Sequence, residues 1–198
     1  MSPSELTASQ IAWAAASVKR TGMNLDLIPV GPKAPFVVNV IVEIPSGSKP
    51  VKYEIDKVSG AIRVDRFLHT AMFYPGNYGF IPHTLAADRA PTDVLVICDM
   101  VVMAGAVIAA RPIRALIMAD EAGPDEKILA VPADDVHPGY AHVRSYKDLP
   151  KVTCDRIAHF FQHYKDLETD EWVSQIVSWV DESGAQEIIR SAMAASGT

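Results

Sequence analysis

Residues 36–67 read "FVVNVIVEIPSGSKPVKYEIDKVSGAIRVDRF", and this stretch decides the class of fold. The run Val37 to Ile44 alternates only partly between apolar and polar residues, as a strand buried on both faces does. Pro45, Ser46, Gly47 and Ser48 then make a turn. "VKYEID" and "AIRVDRF" follow, joined by "KVSG", a four-residue turn ending in Gly60. Two such runs around a Gly-containing turn predict a β-hairpin.

Downstream the β texture continues. "MFYPGNYGFIP" is aromatic and turn-rich, with Pro75, Gly76 and Asn77 breaking any regular element. Three apolar runs come next, "TDVLVICD", "VIAARPIRALIMAD" and "KILAVPA". Short strands at close spacing with few helices among them predict a small barrel. Helices come late. In "TCDRIAHFFQHYKDLE", Ile157, Phe160, Phe161 and Tyr164 recur on one helical face. Near the end, Ser183 and Gln186 have capping-box spacing, ahead of an apolar stripe of Ala185, Ile188, Ile189, Ala192 and Met193. The expected fold is mainly β (α+β), a barrel with two helices outside.

Upstream, "MSPSELTASQIAWAAASVKRTG" lacks the basic start, apolar centre and cleavage site of a signal peptide. Ile11 to Val18 could form one amphipathic helix. Residues 1–22 read as an appendage and 23–198 as a single domain, with Met23 a possible alternative start.

Composition bounds the function. The chain has 198 residues, long enough for a sizeable core. Its 49% hydrophobic and 21% charged residues fit a soluble globular protein. A net charge of −6 argues against a nucleic-acid partner, because phosphate contact needs a basic face. No apolar run approaches the ~18 residues of a membrane span, so no membrane partner is expected. Cys98 and Cys154, far apart with apolar neighbours, read as buried free thiols, which suits a reducing cytoplasm.

Polar residues then appear where strands rarely hold them. Glu43 lies within an apolar run, Lys52 and Glu54 share one face of the next, and Arg66 ends the third. Salt bridges within the barrel would explain them equally well. The octapeptide "DEAGPDEK", with Asp120 and Asp125, taken alone reads as a solvated hairpin turn. Tyr74 and Tyr78 could be core residues, and Lys165 after Tyr164 could simply favour a helix C-terminus. As a set they say more. Carboxylates without His or Cys suit hard cations, Mg²⁺ or Mn²⁺. Lysines, an arginine and tyrosines around them suit an oxygen-rich anion, phosphate being the common one. No GxxxxGK[ST], GxGxxG or GxSxG motif occurs.

The segments "VEIPSGSKPVKYEIDK", "GAIRVDRFLHTAMFYPGNYGFIPHTL", "PTDVLV", "DEAGPDEKILAVP" and "IAHFFQHYKDLE" together resemble the bacterial soluble family I inorganic pyrophosphatases. The likeness runs from about Pro29 to Trp172. It implies a five-stranded OB-like closed barrel with two flanking helices and a site at one mouth. It also implies hydrolysis of pyrophosphate to two phosphates with several Mg²⁺ ions, for which Mn²⁺ can substitute. Metal ligands carried over are Glu43, Asp88, Asp93, Asp120 and Asp125. Phosphate-binding residues are Lys52, Arg66, Tyr78, Lys127, Tyr164 and Lys165, with Glu54 and Tyr74 in support. A hexamer is the expected assembly.

The chain departs from that pattern in "DRAPTD", Asp88 to Asp93, where the family loop is similar to Asp-Gly-Asp-Pro-x-Asp. Ala90 occupies the position of the family's general-base aspartate, and Arg89 that of a glycine. Glu171 stands where a lysine is usual. A slowed pyrophosphatase is the expectation. The alternative is a degenerate or engineered relative that binds pyrophosphate or phosphate without useful turnover.

Overall fold

The structure is a computed structural model that describes residues 23–120, 123–168 and 174–197. The predicted appendage, residues 1–22, lies outside them, as does Glu171. The strands are β1 (Val38–Ile44), β2 (Val51–Ile55), β3 (Ile62–Phe67), β4 (Asn77–Phe80), β5 (Asp93–Val96), β6 (Val107–Asp120), β7 (Gly123–Pro132) and β8 (Gln175–Val180). The α-helices are α1 (Lys151–His163) and α2 (Glu182–Ser196).

Five strands form a ring in the order β1-β4-β5-β7-β6, closed by pairing of β6 back onto β1. Only β5 and β7 run parallel; the other ring pairs are antiparallel. β1 is buried along almost its whole length, as its weak alternation predicted. Where β4 crosses β1 the backbones meet so closely that a Cβ on Gly79 would lie 1.9 Å from the Ile41 carbonyl oxygen. Glycine is required there by space, not by dihedral angle.

Alternation along the strands feeds two apolar layers. Val94, Val96, Ile128 and Ala130 join Val38, Val40 and Val42 in one cluster, to which α2 adds Ala185 and Ile189. Their neighbours Leu95, Ile97, Leu129 and Val131 join a second cluster with Ile157, Phe160 and Phe161 of α1. Each helix therefore covers a separate layer.

The hairpin of β2 and β3 forms as predicted, but as its own two-stranded sheet beside the ring. In its turn Asp56 accepts hydrogen bonds from the Ser59 N–H and Oγ and the Val58 N–H. These contacts, with Arg63, hold the half-buried Asp56 carboxyl down at about 2.

Three expectations need correction. The cap of α2 is Asp181, whose Oδ1 accepts from Gly184 N–H and Ser183 Oγ. Ser183 and Gln186 both lie inside that helix, and Gln186 donates to Glu182 instead. Cys98 and Cys154 are free but partly exposed rather than buried. Finally, β8 was not anticipated; it extends the sheet by pairing with the outer half of β6. Among the described residues no helix is long and apolar enough to cross a membrane.

Candidate active site

A cavity of about 330 Å³ opens where β1, the β2–β3 hairpin, β5 and β7 meet the end of α1. Twelve of the fourteen positions singled out above line it: Glu43, Lys52, Glu54, Arg66, Tyr78, Asp88, Ala90, Asp93, Asp125, Lys127, Tyr164 and Lys165. The remaining two are Asp120 and Tyr74.

Glu43 enters from β1 and is 9% exposed. Its Oε1 accepts the Ile55 N–H at 2.8 Å, tying β1 to β2. Burial pushes its carboxyl up to about 7; the Ile55 hydrogen bond offsets part of that, and Asp93 and Glu54 add a smaller repulsion. On the hairpin, Lys52 and Glu54 share a face, and Lys52 Nζ donates to Glu54 Oε1 at 2.6 Å. Arg66 stands opposite Lys52 on β3.

Asp93 begins β5 and pairs in register with Lys127 of the parallel neighbour β7. The Lys127 ammonium, 5% exposed as a residue, bonds Asp93 Oδ2 and Asp125 Oδ1, the latter at 2.6 Å. Burial alone would lower this ammonium's pKa, but the two aspartates outweigh it and hold it above the usual lysine range. Tyr78 Oη donates to the same Asp93 Oδ2 at 2.5 Å. Its burial, and then Asp93, raise the phenol well above its usual value. Tyr164 caps α1 and Lys165 follows it, bringing both from the far end of the chain.

At "DEAGPDEK" β6 and β7 pair antiparallel, with Asp120 opposite Gly123; residues 121–122, where the predicted turn falls, lie outside the described residues. The backbone of Asp120 ends β6, but its side chain lies outside the described part of the structure. Asp125, on β7, lines the cavity. Tyr74 stands behind the cavity, its ring 5.6 Å from Tyr78 and 4.8 Å from Phe160.

In the loop before β5, Asp88 Oδ1 accepts the Ala90 N–H at 2.9 Å. The Ala90 side chain faces the cavity and also a side chamber of about 170 Å³. Arg89 has φ 66°, a left-handed conformation that costs a side chain roughly 1–2 kcal/mol. It is exposed and does not line the cavity. The tight turn from Ala86 to Ala90 carries its charge outward.

Sequence reasoning missed Asp65. It contacts Lys52 at 3.0 Å and Arg66 at 3.7 Å, between the two cations. Simple alternation would aim Asp65 and Arg66 to opposite faces. A register shift opposite Lys52 and Tyr53 makes Asp65 the extra residue of β3 and re-aims it. The sequence carries no clear signal for that bulge.

The donor set fits a hard divalent cation. Glu43, Asp88, Asp93 and Asp125 offer carboxylate oxygens, with no His or Cys on the cavity wall. Burial is the main reason the Glu43 carboxyl is raised, and Asp93 and Glu54 add a smaller repulsion that a dication between them would offset.

A model of the inorganic pyrophosphatase family matches residues 40–196. The inorganic pyrophosphatase of Caulobacter vibrioides is 58% identical over 171 residues, covering 86% of this chain and 96% of that protein. The inorganic pyrophosphatase of Brucella suis is 51% identical over 171 residues, 86% of this chain and 97% of that one. Among solved structures, the inorganic pyrophosphatase of Thermus thermophilus matches with a TM-score of 0.83 at 40% identity, covering 89% of this chain and all of that one. The chain belongs to the inorganic pyrophosphatase family, whose members are hydrolases.

Proposed function

We propose that this chain hydrolyses inorganic pyrophosphate to two phosphates in a Mg²⁺-dependent reaction, slowed because Ala90 stands at the general-base position. One observation carries this reading: Lys52, Arg66, Lys127 and Lys165, from four separate segments, converge with five carboxylates on one cavity. Cations alone would suit a simple anion site, and carboxylates alone a metal site. The two together suit a polyphosphate bound with its metals.

Glu43, Asp88, Asp93, Asp120 and Asp125 are the proposed ligands for several Mg²⁺ ions, with Mn²⁺ able to substitute. When bound, Mg²⁺ offsets phosphoryl charge and makes a coordinated water more acidic. Lys52, Arg66, Lys127 and Lys165 donate charge-assisted hydrogen bonds to phosphate oxygens. Tyr78 and Tyr164 add hydroxyl groups at the same wall. Glu54 orients Lys52, Asp65 orients Lys52 and Arg66, and Tyr74 backs Tyr78. Without a carboxylate at residue 90, this chain lacks a side chain there to take the proton of an attacking water.

Residues 23–198 act as one domain under this reading, with 1–22 an appendage. A cytoplasmic hexamer is the proposed form, as the resemblance implies. The test is phosphate release from pyrophosphate by the purified chain with and without Mg²⁺. Slow, saturable, Mg²⁺-dependent release is expected. Tight pyrophosphate binding with no release would instead favour the degenerate relative.

A further inference from the structure

We propose that Cys98, Asp99 and His137 form a binding site for a borderline transition-metal dication such as Zn²⁺, separate from the carboxylate cavity. The sheet assembles the three. β5 and β7 are parallel neighbours, and just past β5 the Ile97 N–H still bonds the Ala130 carbonyl at 2.8 Å. Cys98 and Asp99 follow directly. On the other strand the chain leaves β7 and turns so that the His137 N–H bonds the Ala133 carbonyl at 2.9 Å. The imidazole then faces the Cys98–Asp99 corner.

The donor atoms have the spacing of a metal site. Cys98 Sγ is 3.6 Å from Asp99 Oδ1, and His137 Nε2 is 3.2 Å from that same oxygen. All three donors lie within 4.8 Å of one another. Zinc bond lengths at tetrahedral angles require edges of roughly 3.6 Å between sulfur and oxygen and roughly 3.4 Å between nitrogen and oxygen. One thiolate, one imidazole and one carboxylate select Zn²⁺ or a similar metal over the hard cations suited to the carboxylate cavity. The Met100 N–H points at Cys98 Sγ from 3.4 Å and favours the thiolate, but burial and the Asp99 carboxylate outweigh it and hold the thiol above its usual range, so metal binding must displace that proton. The trio lines a larger cavity of about 700 Å³, which leaves the fourth position to water.

One contact opposes binding. His137 Nδ1 accepts the Gly139 N–H at 3.2 Å, so the ring proton sits on Nε2 and is donated to Asp99. On metal binding the Cys98 thiol proton is released to solvent and the imidazole proton moves from Nε2 to Nδ1. The Gly139 hydrogen bond is then lost. Affinity is lowered by that exchange, and the short turn Pro138–Tyr140 must shift.

The same spacings would also suit a hydrogen-bonded corner without metal, and cobalt separates the two. The full metal-free chain is titrated with Co²⁺ while near-ultraviolet absorbance is followed. Only a cobalt–thiolate bond gives the strong charge-transfer band there, so ions in the carboxylate cavity are silent. The expected result is a saturating band, displaced by Zn²⁺, absent in Cys98→Ser and retained in Cys154→Ser and Asp93→Asn. His137→Asn should weaken Co²⁺ binding at least tenfold; its side-chain oxygen can still cap Gly139, so the local fold survives. No band in the intact chain, a band surviving Cys98→Ser, or unchanged affinity in His137→Asn would each overturn the proposal. Pyrophosphate takes no part in this measurement, so its outcome is independent of the proposed hydrolysis.

Discussion

Asp93 and Lys127 sit directly opposite each other on parallel strands, and their side chains pair at the cavity wall with Lys127 buried. The single ammonium also serves Asp125, so its removal takes a shared cation from two carboxylates. Lys127→Met should destabilise the metal-free protein by roughly 3–5 kcal/mol, the cost of breaking a buried pair. Mg²⁺ should recover part of that loss, because a dication can take the place of the missing charge. Urea unfolding with and without Mg²⁺ checks both statements.

Ala90→Asp should raise turnover by ~10²–10⁴-fold, the usual contribution of a positioned general base. Because Arg89 lies outside the cavity, the single change should achieve most of what the double change with Arg89→Gly achieves. Arg89→Gly alone should leave turnover nearly unchanged. It should stabilise the fold by about 0.5–1 kcal/mol, since relief of the left-handed strain exceeds the added chain entropy. Steady-state kinetics and thermal melts of the three variants separate these effects.

Glu43 gives a pH dependence with a definite sign. Its folded carboxyl is raised from the ordinary 4.5 to about 7, so in the metal-free protein its contribution to stability is full below pH 4.5. That contribution is lost as pH rises toward 7. Glu43→Gln keeps an acceptor for the Ile55 N–H and has no charge to bury. At pH 8, in chelator, it should be more stable than the parent by on the order of 3 kcal/mol. At pH 4 the two should melt alike. A parent protein that gains stability over this range relative to Glu43→Gln would contradict the assignment.

Asp65→Asn should raise the KM for pyrophosphate severalfold with a smaller change in kcat. The bulged carboxylate holds Lys52 at 3.0 Å, and its loss leaves that lysine held by Glu54 from one side, so its ammonium is less well placed in the cavity. A rise in KM that Mg²⁺ concentration does not alter would distinguish this from damage to the metal ligands.

Much of this was legible in the sequence because it rests on local chemistry. The β2–β3 hairpin follows from "KVSG" between two β runs, and α1 from the spacing of Ile157, Phe160 and Phe161. The cavity set came from recognising long motifs, and twelve of its residues do face one space. What escaped depended on register and distance. Asp65 needed a bulge that no residue type announces. The outward aim of Arg89 follows from hydrogen bonds that close the loop upon Ala86. The α2 cap was misplaced because Asp181 and Ser183 are both good cap residues, and only the fold chooses between them. The Cys98–His137 corner joins loops far apart in sequence, through a parallel pairing that short-range patterns do not reveal.

Closure of the ring depends on β6 returning to β1, a pairing of segments far apart along the chain. Until β6 and β7 have been made and have docked, β1 and β5 lack their partners on the closing side. Loop entropy must be overcome before those distant contacts contribute, which makes closure a late and slow event in folding. On the ribosome, the half of the chain that ends at β5 carries Glu43, Lys52, Arg66 and Asp93 without the β7 lysine that neutralises Asp93. A ligand of the completed cavity therefore cannot hasten closure; it can only hold rings that have already closed, by slowing their reopening.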